Sequence, residues 1–236
     1  SKRGKSMLFQ MMYDMNSGLL IILAAFILGL VAKSMVNSTF TRYSRVSNSL
    51  GLTGAAMARN ILDNYGLAGV RVEQVGGRLS DHYDPRSETL RLSSEVFSGR
   101  SVAAIGIAAH EAGHAVQHAM GYAPIKFRNA LVPVASLGSR MLFPLIFGGF
   151  LLRMGNLITI GAILYAGVLL FQLVTLPVEF NASSRAVSWL EQNRGLSPDE
   201  VHGVKSILRA AALTYVASAL AALGQMVWLL MAGRRR

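Results

Sequence analysis

The run Ala109-His110-Glu111-Ala112-Gly113-His114 places two histidines and a glutamate at a spacing that suits metal-assisted hydrolysis. On a helix, His110 and His114 stand one turn apart on one face, so both imidazoles can meet one ion. Glu111 is rotated by about 100° from His110, which can bring its carboxylate to a zinc-activated water. There it takes a proton and later returns it to the leaving amine. Zinc lowers the pKa of water from about 15.7 to about 7, which supplies a nucleophile at neutral pH. So short a motif also recurs by chance. Here, however, it places two of only five histidines in an alanine-rich stretch, where they would make poor core residues.

A catalytic zinc takes three protein ligands and keeps one position open. The downstream candidates for the third are His118, Glu179, Glu191, Asp199, Glu200 and His202. His118 extends the row His110, His114, but it lies about 12 Å along the axis from His110. Three ligands so spread on one straight helix cannot converge, so His118 reads as a supporting or structural residue. Asp199 and Glu200 are explained by a helix cap, and Glu191 by a solvated helix end. Glu179 follows Leu176-Pro177-Val178 directly after an apolar run and is the only acid between Glu111 and Glu191. A lone carboxylate at a membrane boundary is costly unless it is paired or bound to a metal. A His110, His114, Glu179 site is therefore expected, with one Zn2+ per chain; an interfacial carboxylate paired with Arg185 is the alternative. His82 could orient a ligand or steady the transition state, or could be a polar residue beside the Asp84-Pro85 turn. Arg185, Tyr215 and His202 are further candidates for stabilising the transition state.

The elements that must carry these residues alternate between apolar and polar. A run at 19–36, after an N-terminal tail at 1–18, is long enough as a helix to span roughly 27 Å. It outruns a signal-peptide core and lacks a clear cleavage site, so an uncleaved anchor is expected. A water-facing α+β part at 37–130 follows. In it, Thr53 caps a helix that Gly66 stops, and three short strands around the Gly76-Gly77 and Asp84-Pro85 turns make a small sheet. The motif helix occupies 101–119. Apolar spans at 131–153 and 156–176 form a hairpin across Arg153-Met154-Gly155. Pro177 begins a helical stretch within the linker segment 177–207, and Ser197-Pro198-Asp199-Glu200 forms a capping box. The helix that box opens runs into a last span at 208–232, before a basic tail at 233–236. The fold class is a mainly α membrane protein with about four transmembrane helices and a small α+β domain.

Composition supports this reading. Hydrophobic residues make up 52% of the chain and charged residues 15%, against about a quarter charged in soluble domains. The formal charge of +11 comes from residues that flank the apolar runs rather than from one block with interleaved aromatics. That pattern suits a lipid bilayer and argues against nucleic acid. With no cysteine, disulfides, thiolate metal sites and a cysteine nucleophile are excluded.

Several segments together resemble the YugP-like neutral zinc metallopeptidases of bacterial membranes. They are 51–54 (GLTG), Asp81-His82-Tyr83-Asp84-Pro85-Arg86, 108–119 (AAHEAGHAVQHA), 121–124 (GYAP) and 176–183 (LPVEFNAS). The arrangement is more distantly similar to the HtpX and CAAX-prenyl-protease gluzincins, in which the third zinc ligand is a glutamate on a later helix. Glu179-Phe180-Asn181-Ala182-Ser183 corresponds to that segment, with serine where an acid is expected. The resemblance implies a gluzincin-like catalytic domain and a membrane metallopeptidase with its site at or near the membrane surface.

The expected activity is that of a zinc-dependent metalloendopeptidase acting on peptide or protein substrates, membrane proteins among them. Glu111 is its general base, and His82, His118 and Arg185 are candidate supporting residues. One rival is a site-2-type intramembrane protease. That class takes its third ligand from an aspartate in a later span, and no later span here contains one. The other rival is a non-enzymatic membrane scaffold with a vestigial metal site, which would be expected to have lost its base or a ligand. Four spans put both termini on one side of the bacterial cell membrane. The positive-inside rule slightly favours a cytoplasmic catalytic side.

Overall fold

A computed structural model describes residues 2–152, 154–192 and 195–233. Arg153 of the expected hairpin break and Arg234, Arg235 and Arg236 of the basic tail lie outside the described residues. The element order is α1 (Lys2–Tyr43), α2 (Gly54–Asn64), β1 (Arg71–Val75), β2 (His82–Asp84), β3 (Thr89–Ser93), α3 (Ser94–Phe97), α4 (Val102–Ala119), α5 (Ala123–Leu151), α6 (Gly155–Gln192) and α7 (Pro198–Gly233). The protein is mainly α and membrane-spanning in character. Among the described residues, four helices are long and apolar enough to cross a bilayer.

The chain divides into two compact units. One comprises Ser1–Val31, Phe127–Leu176 and Thr214–Arg236. Its helices present large apolar side chains outward, among them Leu20, Phe26, Phe143, Phe147 and Ile163. Such a surface is stable only against lipid or another apolar body. Lipid tails are as apolar as leucine, so helices in this setting associate through close packing at small residues. Gly138 and Gly167 supply it: a Cβ added at Gly138 would stand 2.6 Å from the Leu164 carbonyl oxygen, and one at Gly167 2.5 Å from Val134 Cγ1.

The other unit comprises Ala32–Lys126 and Pro177–Leu213. Its core gathers Phe40, Met57, Leu62, Leu90, Leu92, Val96, Val102 and Ile105. The sheet order is β1-β3-β2. β1 runs parallel to β3, with Val72 opposite Leu90, and β2 antiparallel, with Tyr83 opposite Leu90. β3 is therefore the central strand, and it is buried at four of five positions.

Local chemistry explains most of the boundaries. Thr53 Oγ1 accepts from the Ala56 amide at 3.1 Å and Ser101 Oγ from the Ala104 amide at 3.1 Å, starting α2 and α4. Gly66 takes φ 72° after α2, a value that favours glycine. Ser197 and Glu200 form the reciprocal box: the Ser197 amide donates to Glu200 Oε2 at 2.6 Å and the Glu200 amide to Ser197 Oγ at 3.3 Å. Glu200 also accepts from the Ser49 amide at 2.5 Å and from its hydroxyl at 2.7 Å, tying α7 to the segment after α1.

Two helices differ from the sequence reading. α1 extends through residues expected as a tail and past 36 to Tyr43. Pro177 lies inside α6 rather than opening a new helix. A proline withholds one amide from the helix ladder, and here the ladder continues on both sides of that gap.

Candidate metal centre

The site belongs wholly to the second unit and is built on two helices. α4 is so rich in alanine and glycine that its faces can be approached closely, and fourteen of its eighteen residues are buried. At Gly113 the neighbour is backbone: an added Cβ would stand 2.9 Å from the Ala182 carbonyl oxygen and 3.4 Å from its Cα. Glycine at this position lets α6 lie directly against the motif helix.

That approach brings Glu179 of α6 to the two histidines of α4. Glu179 Oε2 lies 3.3 Å from His110 Nε2 and 3.4 Å from His114 Nε2. The two rings stand edge to face with centroids 4.8 Å apart. One ligand atom from each of the three residues falls within 4.8 Å of the others, so the cluster could hold a metal ion. Glu179 is only 3% exposed. A carboxylate so deeply buried calls for positive charge beside it. Two imidazoles and a carboxylate, with no thiolate, form a donor set that suits zinc. Glu111, the next residue on α4 after His110, is also buried.

Further side chains hold the ligands from behind. His114 Nδ1 is 3.0 Å from Gln117 Oε1. Gln117 is fully buried and donates through Nε2 to the Val178 carbonyl at 2.8 Å and to Asn181 Oδ1 at 2.9 Å. Ser183 Oγ is 3.2 Å from His110 Nδ1. Both rings thus engage a partner at Nδ1 and turn Nε2 toward Glu179. These are contacts that sequence reasoning missed. The available signal was helical spacing, since Gln117 is three residues from His114 and Ser183 four from Glu179.

Electrostatics follow from burial and charge. Burial alone would depress the His114 pKa. The bond to Glu179 and the charges of Glu111 and Glu179 outweigh it, with help from Gln117, and leave the pKa above its ordinary 6.5. Burial pushes the Asp81 carboxyl up; bonds from the Ser93 amide (2.7 Å) and hydroxyl (3.0 Å) oppose that rise, and the charge of Glu111 adds to it. Asp84 is held well below the usual carboxylate range by Ser87, the Arg86 amide and Arg91.

The other sequence candidates have partners elsewhere. The exposed His82 places Nδ1 2.8 Å from the Ser80 carbonyl. His118 places Nδ1 3.4 Å from the Tyr83 hydroxyl. Arg185 donates through Nε to Asn181 Oδ1 at 2.8 Å and contacts Met120 Sδ at 3.3 Å. Glu179 pairs with the two histidines rather than with Arg185. Glu191 pairs with Lys205 at 2.7 Å, and His202 lines a separate cleft with both.

Comparison with known proteins agrees with this chemistry. The chain is 46% identical over 211 residues to a protein of Bacillus subtilis (strain 168) described as "Putative membrane protease YugP", covering 89% of this chain and 94% of the relative. No solved structure matches the chain. The model of a family described as "Putative neutral zinc metallopeptidase" matches residues 18–234. With nearly its whole length in that match, and with two histidines and a glutamate drawn together in its folded core, the chain belongs to the neutral zinc metallopeptidase family.

Proposed function

We propose that this protein is a membrane zinc-dependent metalloendopeptidase in which His110, His114 and Glu179 hold one zinc ion and Glu111 is the general base. The observation that carries the reading is the convergence of the three side chains from two helices, with the glutamate buried between the histidines. His110 and His114 would bind through Nε2, since Nδ1 of each is engaged by Ser183 and Gln117. Zinc bound there supplies a Lewis acid that polarises water and the scissile carbonyl.

The chain's own groups do the rest. Glu111 accepts a proton from the attacking water and delivers it to the leaving amine nitrogen. Its burial keeps bulk water away and strengthens its electrostatic effect at short range. Substrates are peptides or proteins. The membrane-crossing helices favour membrane proteins among them, and the basic flanks of the spans favour a cytoplasmic catalytic side in a bacterial cell membrane.

The test is Glu111→Gln, which preserves shape and removes the base. The purified variant should hold zinc as the wild type does, while hydrolysis of an unstructured protein substrate falls by orders of magnitude, about 10²–10⁴-fold for a lost general base. Wild-type turnover in Glu111→Gln would assign the base to another residue.

A further inference from the structure

Gln117 is a polar side chain with no exposed surface, at a distance from solvent where an amide must be fully partnered. Its three partners are unlike one another. The Val178 carbonyl, 2.8 Å away, can only accept, so the Gln117 atom facing it is the NH2 group. That group also reaches Asn181 Oδ1 at 2.9 Å. Oε1 is then left to face His114 Nδ1 at 3.0 Å, and it can only accept. His114 must therefore carry its proton on Nδ1. The neutral ring's lone pair is then on Nε2, the atom 3.4 Å from Glu179 Oε2.

From this one-way chain we infer that Gln117 is a positioning residue that sets the tautomer of His114 and ties it to the helix carrying Glu179. Asn181 stands two residues beyond Glu179 and Val178 one before it, so the amide grips α6 on both sides of the third ligand. The Arg185 guanidinium extends the chain by donating to the same Asn181 oxygen at 2.8 Å. One side chain on α4 thus fixes the ring of one ligand and the backbone beside another. This role rests on the zinc reading above and names a residue that reading does not need.

The experiment compares zinc affinity, by chelator competition, and the visible spectrum of the cobalt-substituted protein in wild type, Gln117→Leu and Gln117→Glu. Gln117→Leu fills the space without hydrogen bonds. It should weaken zinc by about 10–100-fold, as loss of a ligand's hydrogen-bond partner does, and alter the cobalt bands. Gln117→Glu keeps an acceptor on His114 but loses the donor to Val178 and Asn181, so its cobalt bands should stay near those of the wild type although its affinity falls. A space-filling role predicts wild-type cobalt bands in Gln117→Leu as well, and that result would reject the proposal. So would wild-type affinity in Gln117→Leu. Where neither variant folds, the 15N–1H spectrum of the zinc-loaded wild type decides: a His114 Nδ1 proton shifted downfield and slow to exchange supports the role, and one exchanging freely with water refutes it. Zinc retained in a His110→Ala, His114→Ala double variant would remove the zinc reading itself. Zinc lost there but unchanged in Gln117→Leu would remove only the role of Gln117.

Discussion

Gly113→Ala adds a single methyl group where α4 meets the backbone of α6. The new Cβ would stand 2.9 Å from the Ala182 carbonyl oxygen, and ordinary contact begins at 3.4 Å. The two helices must therefore part by about 0.5 Å, because a backbone carbonyl cannot swing away as a side chain can. Overpacking of this kind costs about 1–3 kcal/mol. Alanine's better helix propensity returns about 1 kcal/mol. The same movement draws Glu179 from His110 and His114, now 3.3 and 3.4 Å apart, in a site whose bond lengths tolerate only about 0.2 Å. The net cost is about 0–2 kcal/mol, centred near 1 kcal/mol; borne by the zinc-bound arrangement, it corresponds to roughly fivefold weaker zinc binding and at most about thirtyfold. Gly106→Ala is the control, since its Cβ would meet Val204 Cγ2 at 3.0 Å and Cγ1 at 3.1 Å, side-chain atoms on α7 that can rotate. Zinc titrations of the two variants, with thermal melts of the metal-free forms, read the difference. Gly113→Ala within twofold of wild type, or Gly106→Ala losing as much zinc, would show that close approach of the backbones does not govern the site.

Other outcomes follow from the same geometry. His110→Ala and His114→Ala should each lose most of the bound zinc, and Glu179→Ala should weaken it and abolish activity; Glu191→Ala and His118→Ala should keep the metal, as measured by metal content after gel filtration. Because the His114 pKa is raised in the metal-free protein, protons compete with the metal from above the usual 6.5 downward. Apparent affinity should then be complete at alkaline pH and fall by about tenfold per pH unit below that raised value, and an affinity flat between about pH 8 and pH 6 would contradict it. Sidedness is accessible because the chain has no cysteine. Arg86→Cys, at an exposed position, should react with a membrane-impermeant maleimide only after cells are opened, and labelling in intact cells would place that unit outside.

Much of this architecture could be read from residue types. Thr53, Gly66 and the Ser197–Glu200 box announce helix ends through bonds made within four residues, and those bonds form as expected. Glu179 was reached by elimination, because a lone acid beside an apolar run is too costly to lack a purpose. What stayed hidden depends on lateral contact. Nothing in the spacing of Gln117 shows that its amide meets Val178 and Asn181, because that pairing is decided by how two helices lie together. Ser49 meets Glu200 across 151 residues of sequence, and no local pattern encodes it. Pro177 misled for another reason. Its missing amide usually ends a helix, and only the surrounding packing decides whether the ladder resumes.

The placement of Glu179 bears on how the protein is made. His110 and Glu179 are 69 residues apart, and the chain between them includes all of α5 and the apolar first part of α6. At a synthesis rate of about 5–20 residues per second, the ribosome has released both histidines roughly 3–14 seconds before the glutamate emerges. For that interval the nascent chain carries only two of the three residues proposed to hold the metal. On the proposed reading, a chain at that stage has no hydrolytic site to turn on its neighbours or on itself. Completion of the site thus waits on synthesis of the apolar segments between its halves, a delay set by chain order alone.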